Sequence, residues 1–156
     1  MLYFELFIQG LVQGSIYALI ALGLTLVYGL LRILHVAHAA LFTLGGYIGV
    51  IVTNATGSFT LAMVVAMVLV GFAGMLMYKL AYQPLLSKPP YVSLIASIAL
   101  FIAAEEIFRI ACGPYGLSYQ TPPLQGQVEL FSGFYLKYAE ILVMGLSTVL
   151  LSALAW

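Results

Sequence analysis

Three charged residues lie inside a long apolar stretch of the sequence. Glu105, Glu106 and Arg109 fall between Tyr91 and Cys112. On a helix, Glu105 and Arg109 are four residues apart with the acid first, the favourable order for an ion pair, and Glu106 offers Arg109 a second contact. Arg109 is only about three residues, roughly 5 Å, from the end of the stretch, which reduces its cost in a membrane. Two interpretations stay open: a cluster that snorkels to the outer membrane face, or a polar patch facing a water-filled vestibule where a substrate enters.

Small and polar residues recur along the first apolar stretch. A small face consists of Gly10, Gly14 and Ala18, and a polar stripe beside it of Gln9, Gln13 and Tyr17. Residues four apart share a helix face, and Gly45 with Gly49 repeats the spacing further on. We favour the interpretation that these residues form a tight helix interface crossed by glutamine hydrogen bonds. The alternative is that they line a transport path.

Two histidines, His35 and His38, are three residues apart. If the segment is helical, their imidazoles lie on neighbouring faces of one turn and could share a metal ion. A metal site needs a further ligand, and this stretch supplies no other histidine and no acid. We therefore expect no metal, and we favour a role for His38 in fixing the geometry of a break between two helices.

The supply of residues excludes several functions. Five Lys and Arg balance five Glu, so no basic surface is available for nucleic acid. The chain contains no Asp, which rules out a Ser-His-Asp triad, and no lysine follows a glycine, which rules out a phosphate-binding P-loop. One cysteine, Cys112, allows no internal disulfide. We expect a non-enzymatic chain, and any ATP-driven work must come from a partner.

Composition places these residues in an integral membrane protein, because 64% of the 156 residues are hydrophobic and only 6% are charged. We predict an all-α fold with about five transmembrane helices in a single domain, residues 1–156. The predicted spans cover residues 6–31, 33–53, 59–78, 91–112 and 138–156. Residues 113–137 form an outer loop, in which Ser132-Gly133 allows a β-hairpin between Gln127–Phe131 and Phe134–Lys137.

The short connections between spans predict the orientation. Arg32, Lys79 and Lys88 lie in alternate connections that carry no acid, so this side is predicted to face the cytoplasm. The N-terminus is then outside and Trp156 inside. Glu5 stands where a signal peptide has basic residues, so no cleavable signal is expected. An odd number of spans that stops at the inner face suggests a fragment.

Several segments carry a more specific resemblance. They are Gly14 to Gly29 with Leu31-Arg32-Ile33, Ala37-His38, Gly45-Gly46-Tyr47, Tyr82-Gln83-Pro84-Leu85, Ser97 to Leu100, and Phe108 with Cys112-Gly113-Pro114. In this order they resemble the permease subunits of branched-chain amino-acid ABC transporters. The similarity begins at about Gly10 and covers about the first half of such a subunit, which agrees with a truncated chain.

The resemblance implies a non-catalytic subunit of an importer that moves branched-chain, hydrophobic amino acids across the bacterial inner membrane. Its implied partners are ATP-binding cassette subunits that bind the ATP, a second related permease subunit, a periplasmic substrate-binding protein and the lipid bilayer. No cofactor is expected on this chain. We predict that the substrate path is bordered by Gln13, Tyr17, His38, Glu105, Glu106 and Arg109.

The chain departs from the family pattern after the first span. The family usually reads Asn-Phe-Ala-His-Gly, often with an acid next, whereas this sequence reads His35-Val36-Ala37-His38-Ala39. His38 therefore carries over, whereas the asparagine, the glycine and the acid of the family pattern do not. Related permeases serve urea or short amides, so the substrate stays open between these and a branched-chain amino acid.

A function of another class also stays open. The stripes of small residues at steps of four could assemble the chain into a small homo-oligomeric channel or structural membrane protein. Conductance of the purified chain without an ATPase would favour this alternative. A cytoplasmic coupling segment encoded after Trp156 would favour the importer.

Overall fold

The computed structural model is mostly helical and describes residues 2–32, 34–120, 126–131 and 134–154. Within this part, the helices are α1 (Leu2–Leu31), α2 (His38–Thr56), α3 (Phe59–Met77), α4 (Pro90–Cys112) and α5 (Tyr138–Leu154), and the strands are β1 (Gln127–Phe131) and β2 (Phe134–Lys137). The predicted all-α membrane fold with a short β-hairpin is confirmed.

Four stretches of the described chain are long and apolar enough to cross a bilayer. They are Tyr3–Leu30, His38–Thr56, Phe59–Leu85 and Pro90–Cys112. Helix α5 is also apolar but is shorter, with 17 residues. The division of residues 1–156 into one domain stays a prediction.

Local chemistry sets the ends of the helices. Arg32 ends α1 in the left-handed conformation, with φ of 53°, and its N–H bonds the Tyr28 carbonyl at 2.8 Å. Gly57 ends α2 with φ of 70°, a conformation that glycine adopts without steric cost. Ser58 caps α3, because its hydroxyl accepts a hydrogen bond from the Leu61 N–H. Helices α2 and α3 therefore follow each other through a two-residue connection.

The end of α3 changes its winding before it stops. Residues Tyr78–Tyr82 form a π-helical turn and Gln83–Leu85 a 3₁₀ turn. Pro84 has no N–H to donate, so the α-helical ladder cannot continue through it. Pro90 then occupies the first position of α4, where a missing N–H costs nothing. Tyr82 and the start of α4 therefore lie close together in sequence, on either side of a short connection.

Close helix packing is concentrated between α2 and α3. A methyl group built on Gly45 would lie 3.5 Å from Val70, and one on Gly74 would lie 3.5 Å from Leu41. Elsewhere most large apolar side chains are exposed in the described chain, as lipid-facing or partner-facing helices require. Among the residues that the structure describes, the buried polar side chains are His35, Thr53, Ser93, Ser97 and Ser147.

The chain divides into two compact units. One contains residues Met1–Thr25 and Leu124–Trp156, and the other contains Leu26–Pro123. In the first unit, β1 and β2 pair antiparallel, with Val128 opposite Leu136 and an irregular register after Glu129. The hairpin leads directly into α5, where the Tyr138 N–H donates to the Gly126 carbonyl at 3.1 Å.

Candidate functional site

A cavity of about 320 Å³ lies between α2 and α4 in the second unit. It combines polar groups with an apolar wall, and we refer to it as the amphipathic cavity. Its lining residues are Ala40, Thr43, Tyr47, Phe101, Glu105, Phe108, Arg109, Gly113 and Pro114. The Tyr47 and Phe108 rings contact each other with their centres 5.4 Å apart. The structure thus brings two of the predicted path residues, Glu105 and Arg109, to one cavity.

The ion pair in this cluster joins Arg109 to Glu106. The Arg109 Nη2 atom lies 2.9 Å from Oε1 and 2.7 Å from Oε2 of Glu106. Glu105 makes no ion pair within the described residues, although its spacing to Arg109 allowed one. Both partners of the Glu106 pair are largely exposed, so the pair stabilises the fold by at most about 1 kcal/mol. The charge of Glu105 is left at the cavity without a protein counter-ion among the described residues.

The segment after α4 folds back onto α2 at the end of the cavity that Gly113 and Pro114 line. The Asn54 side chain holds this segment at two points, donating to the Ser118 carbonyl and accepting from the Gln120 N–H, each at 3.0 Å. Gly116, with φ of 70°, lies close to the Tyr47 hydroxyl, so a side chain there would be strained. Asn54 therefore ties the segment that follows Gly113 and Pro114 to α2.

A buried polar network ties together the other end of the second unit. The His35 Nδ1 atom lies 2.6 Å from the Tyr82 hydroxyl, and the Ala37 N–H donates to the Ser97 hydroxyl at 3.0 Å. Burial lowers the pKa of His35, and the neighbouring His38 ring lowers this pKa further. The neutral imidazole is therefore the form that fits the network. The contacts connect the α1–α2 connection to the end of α3 and to α4.

His38 is the first residue of α2, and His35 precedes the helix. The two rings are 6.2 Å apart at their centres and border a mainly apolar cavity of about 160 Å³ with Leu41, Gly74 and Tyr78 among its lining. In the residues that the structure describes, no three His, Cys, Asp or Glu side chains form a set that could hold a metal ion.

The first unit contains a second polar cavity, of about 380 Å³. Gln13 lines it with Gln9, Lys137 and Glu140 among others. The Glu140 carboxylate accepts a hydrogen bond from the Lys137 N–H at the start of α5. Tyr17 is outside the lining of this cavity and is 63% exposed.

The small residues predicted for helix packing differ in their surroundings. Methyl groups built on Gly10 and Gly14 would meet nothing within 4 Å, and Ala18 is half-buried. A methyl group built on Gly45 would face Val70 of α3, and one built on Gly49 would lie 3.9 Å from the Tyr119 hydroxyl. Their roles in packing stay predictions.

We did not predict the roles of Asn54, Thr43, Tyr82 and Ser97 from the sequence. Tyr82 and Ser97 entered only as parts of family-like segments. The signal that could have indicated Ser97 is a hydroxyl inside an apolar span, since buried hydroxyls need partners. No pattern in the sequence indicates which residues pair. His35 and Tyr82 are 47 residues apart, and Ala37 and Ser97 are 60 residues apart.

Comparison with known proteins gives a consistent result along most of the chain. Residues 6–156 match the family profile described as "Branched-chain amino acid transport system / permease component". No solved structure matches the chain.

Curated relatives carry the same description. The high-affinity branched-chain amino acid transport system permease protein BraD of Pseudomonas aeruginosa is 33% identical over 118 residues, which are 70% of this chain and 38% of the relative. The corresponding permease protein LivH of Escherichia coli is 32% identical over 122 residues, 72% of this chain and 40% of the relative. LivH of Salmonella typhimurium is 29% identical with the same coverage.

The chain thus spans about two fifths of the length of these relatives. The match of residues 6–156 covers all five helices at least in part, including the segments that carry the amphipathic cavity and the buried polar network. This chain belongs to the family of permease components of branched-chain amino acid transport systems.

Proposed function

We propose that the protein is a membrane-spanning permease subunit, or part of one, of an importer that carries branched-chain amino acids inward using a separate ATPase. The observation that carries this proposal is the family match over residues 6–156. The printed names of BraD and LivH describe permease proteins of high-affinity branched-chain amino acid transport systems. Four membrane-capable helices in the described chain supply the scaffold that such a role needs.

The amphipathic cavity supports a place for substrate in this subunit. Ionisable groups inside membrane helices are costly and usually serve transport, binding or a proton path. Glu105 is seven residues, about 10 Å, from the last residue of α4, and it has no counter-ion among the described residues. We assign Glu105 and Arg109 to the substrate path, with Glu106 holding the arginine. Gln13 borders a separate polar cavity in the first unit, and Tyr17 and His38 stay candidates for the path.

Partners and location follow from the same proposal. The chain would work with ATP-binding cassette subunits, a second related permease and a periplasmic substrate-binding protein, in the bacterial inner membrane. Arg32 and Lys88 line one shared cavity of about 430 Å³ at the His35 end of the second unit. A cluster of positive residues at one end of the spans favours the cytoplasmic side for that end. Tyr115, which follows α4, would then face the periplasm.

Labelling of single cysteines tests this orientation. In a Cys112→Ser background, Tyr115→Cys should react with a membrane-impermeant maleimide added to intact spheroplasts, since Tyr115 is fully exposed. Lys88→Cys should react only after the membrane is opened. The reverse pattern would invert the proposed topology.

Uptake by cells tests the transport function. Deletion of the gene from its native host should abolish saturable uptake of labelled leucine, and its reintroduction should restore uptake. Excess isoleucine or valine should compete, whereas urea and acetamide should not. If the deletion strain keeps its leucine uptake but loses urea or acetamide uptake, the transported substrate is urea or an amide and not an amino acid. Passive conductance of the purified chain without ATP would contradict an importer.

A further inference from the structure

We propose that the amphipathic cavity binds a zwitterionic α-amino acid with an aliphatic side chain, holding its ammonium at Glu105 and Thr43 and its carboxylate at Arg109. This inference rests on the proposed function and names the recognition chemistry. A cavity of about 320 Å³ lies at the lower end of the roughly 300–1,000 Å³ typical of small-molecule sites. It suits a ligand of amino-acid size.

The charged residues in the lining, Glu105 and Arg109, favour a ligand that carries both an ammonium and a carboxylate. Glu106 lies outside the lining and contacts Arg109 only at its Nη2 atom, and Glu105 has no ion-pair partner among the described residues. A ligand ammonium at Glu105 would supply the counter-charge that the described residues do not.

Thr43 adds an oriented acceptor to the lining of the same cavity. Its hydroxyl donates to the Ala39 carbonyl at 3.0 Å, so its own proton is committed to the α2 backbone. The lone pairs of the Thr43 oxygen stay available, and a group that only donates hydrogen bonds is the matching ligand. An ammonium group is such a donor. A neutral amide could use this acceptor but would leave the Glu105 charge unbalanced.

Arg109 retains donors for the opposite end of the ligand. Its Nη2 atom contacts Glu106, but a guanidinium carries five N–H donors, and the remaining ones can bind a carboxylate. Arg109 follows Glu105 by one helical turn, about 6 Å along α4. The two ionic groups of one amino acid can therefore contact both residues.

The rest of the lining matches the aliphatic part. Phe101 precedes Glu105 by one turn of α4, and Ala40 precedes Thr43 by nearly one turn of α2. Along α4, Phe101 thus lies on the opposite side of Glu105 from Arg109, and Ala40 adds a second apolar residue to the lining. A side chain such as that of leucine would be buried there while both charges meet partners.

A crossed set of ligands and variants tests this arrangement. The gene product, as it purifies from its native membrane, is titrated with labelled leucine, with leucinamide, which keeps the ammonium but lacks the carboxylate, and with 4-methylpentanoate, which keeps the carboxylate but lacks the ammonium. Glu105→Gln should weaken leucine and leucinamide about tenfold or more and leave 4-methylpentanoate unchanged. Arg109→Gln should weaken leucine and 4-methylpentanoate but not leucinamide.

Glu5→Gln, the same substitution outside the cavity, is the matched control and should change no affinity. An equal loss of affinity for all three ligands would indicate a structural effect and overturn the proposal. Unchanged affinities in both variants would also overturn it, and so would the absence of saturable leucine binding by the wild type. If the deletion strain loses leucine uptake and Glu105→Gln restores it fully, the binding assignment fails while the transport function stands. If the deletion leaves uptake intact, the transport function fails, and the crossed binding pattern still decides the site.

Discussion

The Ala37 backbone N–H donates a hydrogen bond to the Ser97 hydroxyl, and both residues are completely buried. The bond joins the connection before α2 to the second turn of α4, across 60 residues of sequence. A buried N–H that loses its acceptor costs its full desolvation penalty, because neither lipid nor apolar side chains replace the partner. This contact therefore anchors α4 to the start of α2.

Substitution of Ser97 by alanine should lower the free energy of unfolding by about 1–3 kcal/mol. The variant leaves the Ala37 N–H without an acceptor. Thermal unfolding in detergent would show the loss as a lower midpoint. Ser152→Ala is the control, because the Ser152 hydroxyl bonds the Val149 carbonyl in an exposed part of α5 and should change stability by less than about 0.5 kcal/mol. Equal midpoints for the two variants would refute the anchoring role.

Acidification should destabilise the protein through His35. Burial, followed by the neighbouring His38, lowers the pKa of His35 in the folded state below its usual 6.5. The unfolded chain then binds more protons, so stability is complete above about pH 6.5 and decreases as the pH falls from there towards the folded-state pKa. In the His35→Gln variant, the thermal unfolding midpoint should decrease less between about pH 8 and pH 5 than it does in the wild type. An unchanged pH profile in this variant would show that other groups cause the effect.

Two substitutions of Asn54 should separate its two contacts. Asn54→Ala removes both, so hydrogen exchange should become faster at the Gln120 N–H. Asn54→Asp keeps an acceptor for that N–H and should preserve its protection, but it loses the donor to the Ser118 carbonyl. Mass-spectrometric exchange of the 114–120 peptide measures both effects. Thr56→Val, at the same helix end, should leave the exchange rate of this peptide unchanged. Equal exchange in all three variants would show that Asn54 does not hold this segment.

A methyl group at Gly126 should disrupt the junction between the hairpin and α5. It would overlap the Tyr138 ring, whose backbone N–H also bonds the Gly126 carbonyl. Overpacking of this kind typically costs about 1–3 kcal/mol, which should lower the unfolding midpoint of Gly126→Ala. Gly145→Ala is the matched control, since nothing lies within 4 Å of its new methyl and alanine favours the helix. The smaller side chain of Tyr138→Ser should rescue the Gly126→Ala variant if the overlap is the cause.

Much of the helical framework can be predicted from the sequence, because each element has a local cause. Long apolar runs require helices in a bilayer, where every backbone group must be bonded internally. Gly57 and Ser58 mark the α2–α3 connection, and Pro84 and Pro90 mark the one before α4. The hairpin is equally local, since Ser132-Gly133 sits between two segments of strand-like composition, and the predicted strands Gln127–Phe131 and Phe134–Lys137 are confirmed.

The candidate site is different, because its residues meet through tertiary structure. Spacing on a helix allows Arg109 to pair with either Glu105 or Glu106, and only the structure shows that the ion pair forms with Glu106. Likewise, no local rule connects His35 to Tyr82 or Asn54 to Ser118.

The sequence by itself determined that this is a helical membrane protein and which family it resembles. Tertiary structure alone decided which faces of α2 and α4 enclose Thr43 and Glu105. The physical reason is that lipid-facing and helix-facing positions are both apolar in a membrane, so the hydrophobic pattern does not define the rotation of a helix about its axis.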